Sequence, residues 1–174
     1  AIEVAISLGL EESQGMLNID AAKACEIACL TVPFAHQEAT LLSIDSSLNQ
    51  KIMIDATVPL MPPKVMRVQL PQEGSAALKA QAILGAETTV ISAFQNISAE
   101  LLQTDKEIDC DVLVAGDFLE ARNVVIELVK DAGLTGWHAG PLCNSVAAES
   151  LTSILIAINK KHSLAHSGIK ITGH

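Results

Sequence analysis

The chain has no tyrosine, a single tryptophan and three phenylalanines, so aromatic residues make up only 2% of its 174 positions. A core without rings must be filled by Ala, Val, Ile and Leu, the usual filling of parallel sheets covered by helices on both faces. Positive charge is also scarce. Eleven Lys and Arg stand against twenty Asp and Glu, for a net charge of −9. That balance argues against nucleic acid or an anionic membrane surface as the main partner. Lys160-Lys161 is the only basic pair, and it closes a helix, where the helix dipole already favours cations. No run reaches the ~18 consecutive apolar residues of a membrane span. No basic region precedes the first apolar residues, as it would in a secretory signal. A cytoplasmic protein without a membrane partner is the expectation.

Metal and nucleophile signatures are missing too. Cys25, Cys29, Cys110 and Cys143 are scattered in apolar surroundings and read as buried free thiols. Cys25 and Cys29 stand four apart, but no second pair or nearby histidine completes a zinc site. His162 and His166 share that spacing without a third ligand, and read as part of a solvated tail. His138 could reach a site or anchor its strand to backbone. No Ser-His-Asp set or carboxylate pair presents itself, which argues against a hydrolase, and no catalytic or metal-binding side chain is nominated. Hydride transfer, which needs proximity, orientation and water exclusion, requires no such set.

What is present is regular. Apolar residues make up 49% of the chain, enough to exclude wholesale disorder and to fill one domain spanning residues 1–174. Ala1–Leu10 suits the end of an amphipathic helix, Glu11–Gly15 a turn, and Met16–Ile19 a short strand. Asp20 would cap a helix over Ala21–Cys25. Strands are expected at Ile27–Val32, Lys51–Ala56, Thr88–Phe94, Asp111–Ala115 and Leu134–His138. Helices are expected at Phe34–Leu42, Ser75–Leu84 and Leu119–Ala132, the last with Asp117 and Glu120 as a capping box and Gly133 as its stop. Met61–Gly74, with three prolines, and Gln95–Glu107 read as irregular connections. Pro141 opens the longest helix, whose Leu142, Val146, Ala147, Leu151, Ile154, Leu155 and Ile158 recur at helical spacing as a face buried on more than one side. Ser163–His174 reads as a tail returning in extended form at Ile169–Ile171. Strands alternating with helices define an α/β, Rossmann-like, mostly parallel sheet with helices on both faces.

In such sheets ligands bind beyond the carboxyl ends of the strands. The candidates on that lip are Thr31-Val32-Pro33, Thr57-Val58-Pro59, Gln95-Asn96-Ile97 and the turn Ala139–Leu142. The lip is apolar with hydroxyl and amide groups at intervals, suited to flat neutral rings.

AGPLCNSVAAESLT and the closing SGIKITG, with DAAKACEIACLTVPFAH, KIMIDATVPL and VISAFQNISAELL upstream, resemble the NADPH-dependent F420 reductases in the same order over nearly the whole chain. The resemblance implies two cofactors, NADP and the deazaflavin coenzyme F420, exchanging a hydride in a homodimer. It sets Thr31, Val32, Pro33, Phe34, His36, Thr57, Val58 and Pro59 beside the nicotinamide. It sets Gln95, Asn96, Ile97, Ala139, Gly140, Pro141 and Leu142 toward the deazaflavin, and makes 134–174 a C-terminal segment on the deazaflavin side that would also serve dimerisation. At Gln95–Ser98 the chain reads QNIS, where family members carry a His-Thr-Ile-Pro-like sequence. No G-x-G-x-x-G loop occurs, nor a basic cluster for a 2′-phosphate. With Met16–Ile19 as the family's third strand, the first βαβ unit would precede Ala1. Two alternatives stay open: an NADP-dependent reductase of another acceptor (a flavin, metal chelate or imine), and a non-catalytic dimerisation module.

Overall fold

The structure, a computed structural model, describes residues 1–104 and 107–173. Positions 105 and 106 of the expected 95–107 connection, and the last position of the tail, lie outside the described residues. Five strands, β1 (Ile27–Leu30), β2 (Ile52–Asp55), β3 (Thr89–Ser92), β4 (Asp111–Ala115) and β5 (Thr135–Gly140), lie side by side in sequence order. Six α-helices accompany them among the described residues: α1 (Ile2–Ser7), α2 (Asn18–Ala24), α3 (Phe34–Ile44), α4 (Ala76–Leu84), α5 (Leu119–Asp131) and α6 (Ser145–His162). The mostly parallel, Rossmann-like sheet is therefore as expected.

Side chains alternate across each strand, and the core divides accordingly. Met53 and Val90 point to one face, where Leu41, Ile44, Ala77 and Ala80 of α3 and α4 cover them. Ile54 and Ile91 point to the other, against Val125 and Val129 of α5. Ser75 caps α4 by accepting from the Leu78 N–H at 3.0 Å, a bond that satisfies one of the free donors of the first turn.

β1, β2 and β3 are parallel neighbours, but β4 meets β3 antiparallel through the single pair Ser92–Ala115, and β5 runs parallel to β4. The carboxyl ends of β4 and β5 therefore point against those of β1–β3.

Several local expectations need correcting. Met16–Ile19 is not a strand: its last two residues open α2, and Leu17 is 71% exposed. Asp20 lies in the first turn of α2 and caps nothing. Of the four cysteines only Cys110 is buried, and Cys29 is exposed because β1 is the outer strand of the sheet. The capping box at α5 does not form. Asp117 Oδ1 instead accepts from the Leu142 N–H at 2.9 Å, tying the start of α5 to the turn before α6.

The largest correction concerns α6. Its buried residues are Ser145, Ala148, Glu149 and Ser153, while Ile154 and Ile158 are exposed. The helix turns its small and polar face inward, because those groups find partners there. By length and mean hydropathy (1.3 over Leu142–His162) this stretch matches a membrane span even though charges interrupt it. Here its inner face is bonded to the domain. Nor is the tail simply solvated. Ile169 O accepts from Asp111 N (2.8 Å), and Ile171 N donates to Asp111 Oδ2 (2.8 Å), so the expected extended return runs beside the start of β4. Burial alone would raise the Asp111 carboxyl. The Ile171 N–H, the Trp137 indole and Lys170 outweigh that and hold it low.

Candidate active site

The turns after β1, β2 and β3 gather at one end of the parallel part of the sheet, held by a buried polar network. Asp55, the last residue of β2, is fully buried. Its Oδ1 accepts from the Thr57 N–H at 2.8 Å, and its Oδ2 accepts from Gln37 Nε2 of α3 at 2.7 Å. Gln37 Nε2 also lies 2.9 Å from Thr57 Oγ1 and 2.9 Å from the Ala76 carbonyl. The main-chain oxygen of Asp55 accepts from Gln95 Nε2 at 2.7 Å, and that amide also reaches Ser92 Oγ. The second turn is thus locked by the Asp55 side chain, and the third by the Asp55 backbone.

The network continues into α6. Glu149 receives the Ala76 N–H at 2.6 Å and the Ala77 N–H at 3.1 Å, filling the free donors at the start of α4, where the helix dipole favours an anion. Ser145 donates to Ser75 at 2.7 Å. Asn96 Nδ2 donates to the Ala148 carbonyl at 2.8 Å, and Thr152 Oγ1 to the Gln95 carbonyl at 2.9 Å.

Burial pushes the Asp55 carboxyl up to about 6, against the opposing hydrogen bonds from Thr57 and Gln37. Burial, with the charge of Asp55 adding to it, pushes Glu149 up to about 7 despite the N–H groups of Ala76 and Ala77. Both acids therefore hold protons in the folded chain at pH values where the unfolded chain has released them. The unfolded chain binds fewer protons between roughly pH 4 and 7, so stability is highest at the acid side of that window and falls as pH rises through it. The loss is on the order of 3 kcal/mol for either group alone. Thermal melts at pH 5 and pH 8 check this; an unchanged or higher midpoint at pH 8 contradicts it.

The candidates named from sequence divide as follows. Thr31, Pro33 and His36 are exposed at the head of α3, and Val32 and Phe34 are half-buried. Lys79 Nζ stands 5.4 Å from the centre of the Phe34 ring. Thr57 and Pro59 are buried and Val58 is half-buried, so Thr57 shapes the turn with a hydroxyl already engaged by Gln37. Gln95 and Asn96 are buried, and Ile97 lines a cleft of about 190 Å³ with Ser98, Thr152, Asn159 and His166. Thr31 and Val32 open into a different cleft along β1, beside Cys25, Cys29 and Ile44.

Because β5 runs against β1–β3, the turn Ala139–Leu142 leaves the sheet in the opposite direction from the other three. Leu142 is buried in the core beside Ala77 and Val90. Gly140 has φ 88°, and a Cβ there would stand 2.8 Å from Asn144 Nδ2, so the turn needs glycine. His138 is exposed, and its Nδ1 accepts from Arg122 Nε at 3.4 Å. Gln37, Asp55 and Glu149 were not foreseen, and Asp117 was foreseen only as a helix cap. The available signals were a carboxylate closing the apolar run Ile52-Met53-Ile54 and a charge inside the apolar helix.

A Rossmann-like sheet whose strand-end lip offers apolar walls defines an α/β domain of the class that binds flat ligands beyond its strand ends. The chain is 39% identical over 165 residues to the F420-dependent NADP reductase of Methanothermobacter thermautotrophicus, covering 91% of this chain and 71% of the relative. It is 36% identical over 163 residues to the enzyme of that name from Methanocaldococcus jannaschii, covering 91% and 73%. A crystal structure of a candidate F420-dependent NADP reductase from Arthrobacter superposes with a TM-score of 0.81 at 22% identity, over 91% of this chain and 74% of that one. No family model matches the chain. The chain belongs to the F420-dependent NADP reductase family.

Proposed function

We propose that this protein transfers a hydride reversibly between NADP(H) and the deazaflavin coenzyme F420. The observation that carries the reading is the strand-end lip: three turns, the second and third fixed from beneath by Asp55, Gln37 and Gln95, with Val32, Val58 and Ile97 half-buried in them. Their polar groups are largely engaged with one another, which leaves apolar walls for planar rings. The work of such a site is to hold the rings in contact and exclude water, which accounts for much of the acceleration of a hydride transfer. In this reading Thr31–Phe34, His36 and Thr57–Pro59 support the nicotinamide, Gln95–Ile97 the deazaflavin, and Ala139–Leu142 braces α6. The hydride itself passes between the two bound rings.

The test is NADPH oxidation followed together with loss of F420 fluorescence, using a free flavin, a ferric chelate and a cyclic imine as rival acceptors. Turnover with F420 at least about tenfold faster than with any rival supports the reading. Faster turnover with a rival favours a reductase of that acceptor, and absence of NADPH binding favours the dimerisation module.

The outer face of α6 supports a homodimer, with residues 134–174 as the segment that pairs. Ile154, Ala157 and Ile158 line an open groove with Met66, flanked by Lys160 and Lys161. Ile154→Asp is expected to give a monomer by light scattering while the isolated domain stays folded. A wild-type protein that is already monomeric would remove the proposal.

A further inference from the structure

A polar relay runs from solvent into the cleft at Gln95–Ser98. Ser98 Oγ lies 2.8 Å from His166 Nδ1, and His166 Nε2 lies 3.6 Å from Glu100 Oε2. The Glu100 side chain is 84% exposed and that of His166 35%, so the outer end is open to water. Ser98 and His166 both line the cleft. The other polar lining groups, Gln95, Asn96, Thr152, Asn159 and Ser167, do not titrate in the working pH range. Other charged groups of the tail and α6 are placed elsewhere. Lys170 is paired with Asp109 and Asp111, and Lys160, Lys161 and His162 line the outer groove of α6. The tail is held over the cleft by Ser167 N donating to Asn159 Oδ1 (3.3 Å) and by left-handed backbone at Ser163 and His166.

We propose that Glu100, His166 and Ser98 form a proton conduit serving a deazaflavin ring bound in this cleft. The inference rests on the reductase reading. The bound coenzyme would supply the hydride chemistry, and a deazaflavin reduced by hydride would need one proton at its ring nitrogen N1. Ser98 supplies it: the Oγ–H bond breaks as N1–H forms, and Oγ takes a proton from Nδ1 of the His166 imidazolium. A proton from solvent then returns to the ring, whose Nε2 stands 3.6 Å from Glu100 Oε2. In the reverse direction each transfer runs backwards. His166 is a positioning and proton-supplying residue of the outer relay, and Ser98 is the group that touches the ring.

The experiment uses the full-length protein and the variants His166→Gln, Ser98→Ala and Glu100→Gln. Two readouts are taken: the pH profile of kcat for F420 reduction, and the His166 ring resonance titrated with and without oxidised F420. The expected result is a fall in kcat of about 100-fold for His166→Gln and Ser98→Ala, within the usual range for a lost proton donor. KM for both cofactors should change little, the alkaline fall in kcat should disappear in His166→Gln, and added imidazole should restore part of its rate. Glu100→Gln, at the exposed outer end, should lower kcat less than His166→Gln does. F420 alone should move the His166 titration curve. A His166→Gln enzyme with wild-type kcat and an unchanged pH profile overturns the conduit and leaves the contact as a pin for the tail. A wild-type protein that does not reduce F420 with NADPH overturns the reductase reading itself, and the conduit with it.

Discussion

Glu149→Ala lowers the thermal midpoint by roughly 10 °C, from a loss of about 3 kcal/mol at about 2–4 °C per kcal/mol for a chain of this size. The carboxylate accepts from Ala76 N and Ala77 N and is only 1% exposed, so nothing else replaces it when it is removed. Each stranded buried donor costs about 1–3 kcal/mol. The gain from no longer burying an acid offsets part of the sum. Glu149→Gln separates the two terms. It keeps the volume but turns an NH2 toward one of the two N–H donors, where the protonated acid keeps a hydroxyl oxygen that can still accept, so it is less stable than wild type at pH 5. The wild-type chain then loses stability as pH rises toward and past about 7, and the glutamine chain lacks that titration. The gap between the two is therefore expected to narrow between pH 5 and pH 8. Melts at both values decide the matter; a gap equally wide at both would mean that Glu149 titrates normally and its burial is not what limits it.

The same residue marks where reading from sequence stopped. Periodicity found α6 and its length, because Ile, Leu and Val at spacings of three and four require a helix. It assigned the wrong face inward, because the rule assumes that apolar side chains win the core. Here Ser145, Glu149 and Thr152 meet partners on α4 and on the 95–97 segment, and those partners come from distant parts of the sequence. The positions of β1–β5 were legible, since they are short apolar runs between helices, whereas their order in the sheet was not read. The reversal at β4 was not legible: an antiparallel pair joined by one bridge leaves no trace in composition. Asp117 shows the same limit. Its position before α5 carries a capping signature, yet a nearer donor at Leu142 takes the carboxylate. The lip turns were legible as places, while the groups beneath them, Asp55 and Gln37, were hidden within elements that looked ordinary.

Asp55 also divides its work in a way that two variants can expose. Its side chain holds Thr57 and Gln37, whereas its main-chain oxygen holds Gln95. Asp55→Asn keeps an acceptor for the Thr57 N–H but turns an amide donor toward Gln37 Nε2. Gln37 can rotate its amide to meet that donor only by giving up the Ala76 carbonyl it now binds. The second turn therefore loosens by about 1–2 kcal/mol, while the Gln95 contact to backbone survives. Because the Thr57–Pro59 turn is assigned to the nicotinamide side, NADPH affinity should fall about tenfold, equivalent to about 1.4 kcal/mol. F420 affinity should change less than about threefold. Gln95→Leu reverses the pattern: the Asp55 carbonyl and Ser92 hydroxyl lose their donor, the third turn loosens, and F420 affinity falls about tenfold with NADPH nearly unchanged. Separate titrations of each variant with each cofactor measure the split. Equal losses for both cofactors in both variants would show that the two turns move as one body, and would remove the assignment of one turn to each ring.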